Sequence, residues 1–262
     1  MATRMPALFV SHGSPMTAIQ PSPARAFLTT CAASLPRPRA ILIATAHFES
    51  SAPLVSADDR PAMIYDFGGF PKPLFEIQYG APGAPALASR AVELLQAAGY
   101  PAHPVANRGF DHGTWVPLCL MYPDAEIPVV QISVQPHEGA EHHMKLGRAL
   151  APLRDEGVLI VGSGSLTHNL YELSRSGRDV NAPVRDWVRA FTDWIADKVE
   201  SGCADDIANY RELAPYAREN HPRDEHFLPL PFAMGAGSGD RAQRIHASYD
   251  YGLLAMDAYQ FG

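Results

Sequence analysis

Three histidines each follow a short apolar run, which puts an imidazole at the end of a buried strand. Ala7-Leu8-Phe9-Val10-Ser11 leads into His12, and Ala40 to Ala46 leads into His47. Val158-Leu159-Ile160-Val161 leads through Gly162-Ser163-Gly164-Ser165-Leu166-Thr167 to His168. In an open parallel sheet, ligands bind outside the carboxyl ends of the strands. One histidine there is ordinarily a hydrogen-bonded rim residue, but three at equivalent positions suit a metal centre or a proton-transfer site. Gly13 and Gly164 allow the tight backbone that aims such side chains into a crevice. His112, in Gly109-Phe110-Asp111-His112-Gly113-Thr114-Trp115, and His226, in Glu225-His226-Phe227-Leu228-Pro229-Leu230, occupy similarly sharp contexts. Asp111 is either a partner that orients the His112 ring or a turn cap.

His137, Glu138, Glu141, His142 and His143 look like a metal box. Adjacent helical residues point about 100° apart, however, and acidic residues at a helix start answer the macrodipole. This stretch reads as a solvated helix entry, with His143 kept as an outer group near a metal. His103, His221 and His246 read as surface or structural. Gly162-Ser163-Gly164-Ser165 lacks the spacing of a dinucleotide fingerprint, and neither a phosphate loop nor a Gly-x-Ser-x-Gly elbow occurs. Nothing marks Ser14 or Ser163 as an activated nucleophile, so metal chemistry leads.

The elements that must position these residues read as α/β. Ala7–Val10, Ala40–Ala46, Ile127–Val134 and Val158–Val161 are apolar or β-branched runs of strand length. Between and after them, Pro85–Ala98, Glu141–Glu156 and Asn181–Val199 have helical periodicity, and Gly99 and Gly157 stop the first two. Trp187, Phe191 and Trp194 are spaced as a core stripe rather than a cofactor platform. Strands alternating with helices predict a mainly parallel central sheet flanked by helices, with the active site at the carboxyl ends of the strands. No repeat or linker divides residues 1–262, so one domain is expected. The long irregular stretch Ser56–Pro73 carries Tyr65, Phe67 and Phe70, and its length suggests a functional loop.

Composition excludes several classes. The chain has 262 residues, 47% hydrophobic and 19% charged, enough for a sizeable core. A formal charge of −7 without a basic cluster argues against nucleic acid. No apolar run approaches the roughly 20 residues of a membrane span, and Ala7–Val10 is too brief for a signal sequence, so a cytoplasmic location is expected. Cys31, Cys119 and Cys203 form neither a disulfide framework nor a zinc pattern and read as reduced thiols.

Six segments in order resemble the class III extradiol ring-cleavage dioxygenases, specifically the 4,5-DOPA dioxygenase extradiol subfamily. They are Met5–Met16, Ala46-His47-Phe48, Tyr65–Pro71, Gly109–Trp115, Ser163–Leu170 and Glu225–Leu230. The resemblance runs nearly end to end. It implies a cytoplasmic α/β enzyme that opens a catechol ring with O2 at a mononuclear Fe(II), with Zn(II) plausible as the bound ion. It puts metal ligands on His12, His47 and His226, the acid/base histidine on His168 and a further active-site histidine on His112. In the broader class III group the third ligand is Glu, whereas here it is His226 beside Glu225, an all-imidazole set that suits zinc as well as iron.

One imidazole can take a phenolic proton as the catechol binds and later return a proton to the leaving oxygen, the role expected of His168. His112 would hydrogen-bond the bound oxygen or the catecholate. Tyr65, Phe67 and Phe70 would wall the pocket against water. The rival reading is a zinc-dependent hydrolase using the same three ligands and an activated water. A non-catalytic binding protein on this scaffold would be expected to have lost the histidines.

Overall fold

Four parallel strands form the centre of the protein, each apolar on both faces because helices cover both sides of the sheet. The structure is a computed structural model that describes residues 4–175, 177 and 179–262. The strands are β1 (Ala7–Ser11), β2 (Ala40–Glu49), β3 (Leu54–Ser56), β4 (His103–Val105), β5 (Val129–Val134), β6 (Val158–Gly164), β7 (Ala242–His246), β8 (Tyr249–Asp250), β9 (Leu254–Ala255) and β10 (Ala258–Phe261). The main sheet has eight strands in the order β4-β3-β5-β2-β6-β1-β10-β7. Its parallel centre, β5-β2-β6-β1, consists of the four segments whose apolar runs identify them in the sequence. Around it lie shorter strands. β10 pairs antiparallel with β1 and β7, and β3 is antiparallel to β5 but parallel to β4.

The helices are α1 (Pro23–Cys31), α2 (Pro85–Ala97), α3 (His112–Met121), α4 (Gly139–Leu150), α5 (Pro152–Asp155), α6 (Leu170–Arg175), α7 (Asp186–Glu200), α8 (Ala204–Ala208), α9 (Tyr210–Leu213), α10 (Ala217–Asn220) and α11 (Pro229–Ala236). The helix expected over Glu141–Glu156 is therefore two, broken where Pro152 lacks the N–H that would continue α4. The one expected from Asn181 starts later, at Asp186, and its buried face is Val188, Phe191, Ile195 and Val199, with Trp187 and Trp194 half-buried beside it.

The pleat divides the core in two. Ala7, Phe9, Leu42 and Ala44 face one layer with residues of α2, α4, α7 and α11, while Leu8, Val10, Ile41 and Ile43 face another with residues of α1 and α3. Every residue of α11 is buried, so no polar face is needed there. The result is a single α/β domain with a mostly parallel sheet and helices on both faces. Among the described residues, no helix is long and apolar enough to cross a membrane.

Candidate metal centre and its surroundings

The carboxyl ends of β1, β2 and β6 converge, and the backbone there fixes where three imidazoles start. His12 follows β1, and its N–H donates to the Gly164 carbonyl at 2.9 Å, binding the end of β1 to the end of β6. His47 lies within β2 rather than after it, because the strand runs past a register shift with β5 between Ala44 and Glu49. His226 comes just before α11, and its carbonyl accepts the Ser165 N–H at 2.9 Å. A Cβ at position 164 would stand 2.2 Å from that carbonyl oxygen, so only glycine permits the approach. Gly13 has a φ of +66°, the left-handed turn by which the chain leaves His12.

The three side chains meet tip to tip. His47 Nε2 lies 3.1 Å from His12 Nε2 and 3.3 Å from His226 Nε2. Two nitrogens bound about 2.1 Å from one ion stand roughly 3.0–3.4 Å apart at ordinary coordination angles, so the spacing fits a shared cation.

The outer nitrogens support the same conclusion. Ser163 gives its only hydroxyl proton to the Gly113 carbonyl and must therefore accept from His12 Nδ1, 3.0 Å away. His226 Nδ1 faces Glu225 Oε1 at 3.1 Å, and His47 Nδ1 faces Asp66 Oδ2 at 3.4 Å. With Nδ1 of His12 donating to Ser163 and those of His47 and His226 turned to carboxylate oxygens, each Nε2 is left to present a lone pair to the other two, an arrangement that a cation relieves.

Burial keeps these rings neutral. It drives His12 and His226 well below the ordinary histidine range, helped by the neighbouring imidazoles. Burial and His112 lower His47 to about 3, with Asp66 opposing them. For Asp66, burial raises the carboxyl, but its hydrogen bonds from His112 and the nearby imidazoles outweigh that and bring the group to about 2.

Two more histidines stand at the centre. His112 begins α3, and its ring lies 4.0 Å from His47 and 5.4 Å from His12, centroid to centroid. Its Nδ1 is 2.8 Å from Asp66 Oδ1, which also accepts its backbone N–H at 3.0 Å. Asp66, not Asp111, is thus the carboxylate that orients this ring. Asp111 caps α3 by accepting the Thr114 N–H, accepts the Thr45 hydroxyl from β2, and pairs with Arg108. His168 stacks on His226 with centroids 3.5 Å apart. The segment leading to it is fastened rather than loose. Ser165, Leu166 and Thr167 are buried, Thr167 Oγ1 donates to the Leu253 carbonyl, and the His168 N–H donates to Asn220. Burial, then His221 and His112, lowers His168 to about 3.

The long loop reaches the same place. Phe67 stands edge-on to His112 at 5.7 Å and packs on Phe70 at 5.4 Å. Phe70 lines a cleft of about 730 Å³ with Ser14, Met16, Gln20 and Tyr251; Ser14 and Met16 follow His12 in the chain and Phe70 follows Asp66, while the lining itself includes none of the five histidines. Tyr65 packs on Trp115 and Phe67, while its hydroxyl donates to the Ile77 carbonyl and accepts from Gln78.

His143 does not face solvent, as a solvated helix entry would require. It is 1% exposed, its Nε2 accepts from the Gln135 N–H and its Nδ1 donates to the Gly139 carbonyl, so it serves α4 and not the metal centre. The sequence reading missed the roles of Asp66 and Ser163. Asp66 sits among the aromatics of the Tyr65–Pro71 motif with no second polar residue to mark it, and Ser163 lies just beyond the apolar run and Gly162.

Fold and site together define an α/β protein with a neutral imidazole centre suited to one divalent cation. Residues 6–262 match the family described as the catalytic LigB subunit of aromatic ring-opening dioxygenase, and the chain belongs to that family. It is 45% identical to the 4,5-DOPA dioxygenase extradiol of Beta vulgaris, over 97% of this chain and 95% of that one. It is 39% identical to the Escherichia coli K12 protein of the same name, over 100% of this chain and 96% of that one. The crystal structure of an uncharacterized protein from Escherichia coli K12 superimposes with a TM-score of 0.80 at 35% identity, covering 99% of this chain and all of that one.

Proposed function

We propose that this chain, acting as one catalytic domain over residues 1–262, opens the ring of a DOPA-like catechol with O2 as an extradiol dioxygenase and yields a semialdehyde. The observation that carries this is the convergence of three imidazole Nε2 atoms, 3.1 and 3.3 Å apart along the chain His12, His47, His226, in a member of a ring-opening family. These residues would hold one divalent ion, Fe(II) for turnover, although neutral nitrogen ligands accept Zn(II) equally well. When bound, iron(II) supplies the one-electron chemistry through which O2 reacts with a closed-shell aromatic.

His168 takes the proton that a catechol hydroxyl gives up and returns it to the oxygen that leaves. The anionic catecholate beside it raises its pKa from the depressed resting position. His112, with Nδ1 held on Asp66, turns Nε2 toward the substrate oxygens. Phe67 and Phe70 exclude water and shape the space for the ring substituent, and Tyr65 completes that wall from behind. The proposed location is the cytoplasm.

Anaerobic reconstitution with Fe(II), followed by a catechol panel with O2 uptake, tests the proposal. Stoichiometric O2 consumption with a yellow ring-opened product supports it. Metal-dependent hydrolysis without O2 uptake would instead favour the zinc hydrolase reading.

A further inference from the structure

Asp66 faces three N–H groups with two oxygens, two of them hydrogen-bonded to Oδ1 and the third at ion-pair distance from Oδ2. Oδ1 accepts the backbone N–H of His112 at 3.0 Å and lies 2.8 Å from its Nδ1. Oδ2 faces Nδ1 of His47 at 3.4 Å. The two histidines come from α3 and β2, while Asp66 comes from the irregular stretch between β3 and α2. One carboxylate therefore joins three separate parts of the chain.

The position of Asp66 along that stretch matters. Just before it, Ile64 donates to the Phe110 carbonyl at 2.8 Å, and Trp115 Nε1 donates to the Ile64 carbonyl at 3.3 Å. Just after it, Gly68 and Gly69 have nothing within 4 Å of where a Cβ would sit, and Gly69 has a φ of +75°. Asp66 is thus the last polar anchor before an open turn, and that turn leads to Phe70 on the cleft wall.

We propose that Asp66 is a positioning residue that fixes the Nδ1–H tautomers of both His47 and His112 and thereby locks the 64–71 segment to the metal centre. Loading the centre and seating this segment are then one coupled event. Coupling of this kind is reciprocal: whatever the seated segment contributes to metal affinity, bound metal returns to the order of the segment. The inference rests on reading His47 as a metal ligand, and loss of stoichiometric zinc in His47→Ala, with the parent retaining it, tests that reading separately.

Asp66→Asn is the discriminating variant because an amide has one acceptor oxygen where the carboxylate has two. The stronger demand comes from His112, which brings two donors to Oδ1, so the amide oxygen stays there and the NH2 group faces His47. A donor facing Nδ1 favours the tautomer with the proton on Nε2, where it opposes a metal.

The expected results are a zinc affinity lowered roughly 10- to 100-fold, and an Nε2–H signal for His47 in nitrogen-15 spectra of the metal-free variant. Hydrogen exchange adds a readout independent of activity. Saturating zinc should slow exchange across residues 64–71 in the parent and have no such effect in Asp66→Asn. Zinc affinity within twofold of the parent together with an unchanged His47 tautomer would overturn the positioning role. Equal zinc-dependent protection in both proteins would overturn the coupling. Absence of protection in the zinc-loaded parent would do the same without any variant.

Discussion

The rings of His168 and His226 lie face to face, centroids 3.5 Å apart and planes within 12° of parallel. A metal-binding nitrogen points along its own ring plane, so a ring stacked on a ligand faces the same region from a parallel plane. His168 is thereby held against the centre while its ring nitrogens stay available to substrate.

Replacing His168 by Ala or Gln should therefore leave metal stoichiometry and catechol binding intact. Turnover should fall by roughly the 10²–10⁴-fold typical of a lost general acid/base. Elemental analysis and single-turnover kinetics on the same variant check this, and loss of metal would make His168 a ligand instead.

Ala at position 12, 47 or 226 should abolish tight metal binding with the fold retained. Ser163→Ala is expected to be milder, because it leaves all three ligands in place and removes the acceptor that holds His12 Nδ1 together with the hydroxyl's own bond to the Gly113 carbonyl. Its metal affinity should fall roughly 10- to 100-fold. Titration with a competing chelator distinguishes the two outcomes, and parent-like affinity in Ser163→Ala would show that the hydrogen bond does not set the tautomer.

Gly164→Ala should damage the centre without touching a ligand. The added Cβ would meet the His226 carbonyl oxygen at 2.2 Å, and neither backbone can yield without moving that histidine. We expect a loss of about 1–3 kcal/mol, the usual cost of overpacking, and weakened metal binding in the fraction that folds. Calorimetry with metal analysis would show it, and native affinity in the folded variant contradicts it.

The aromatic loop makes a prediction about selectivity. Phe67→Ala or Phe70→Ala should change the ratio of kcat/KM values among substituted catechols, since Phe67 abuts His112 and Phe70 lines the cleft. Equal effects on every catechol, with only stability lowered, would make these rings packing residues.

His143 provides a pH test away from the metal. Burial lowers it to about 3, and its two hydrogen bonds require the neutral ring, one nitrogen accepting and the other donating. In the unfolded chain it takes up a proton near pH 6.5, well before the folded protein does. Its contribution to stability is complete above that pH and falls as the pH drops from about 6.5 towards 3, by about 1.4 kcal/mol per unit. Asp257, raised to about 7 by burial, acts in the opposite direction. Comparing denaturation of His143→Gln and the parent at pH 7, 6 and 5 cancels that effect, and the variant should show the shallower acid loss.

The strands of the parallel centre and the histidines at their ends were legible because burial on both faces demands continuous apolar runs, which local sequence displays. The ends of such strands also mark where a ligand can sit. His12, His47 and His226 could be singled out from their own neighbourhoods and from a family resemblance, and the structure brings all three together. The short strands β3, β4, β7 and β10 were not legible, since pairing of three to five residues is decided by whatever lies beside them. Partners set by contact rather than by spacing were equally hidden. Asp66 reaches His112 from 46 positions away, and Ser163 reaches His12 across 151. His143 looked like a solvated helix entry until its backbone partners, Gln135 and Gly139, were in place. Residue type and the apolar runs put His12, His47 and His168 beyond or near strand ends, and the family resemblance added His226. Which nitrogen of each ring turns inward depends on hydrogen-bond acceptors that only the folded chain delivers, and the tertiary structure alone decided that.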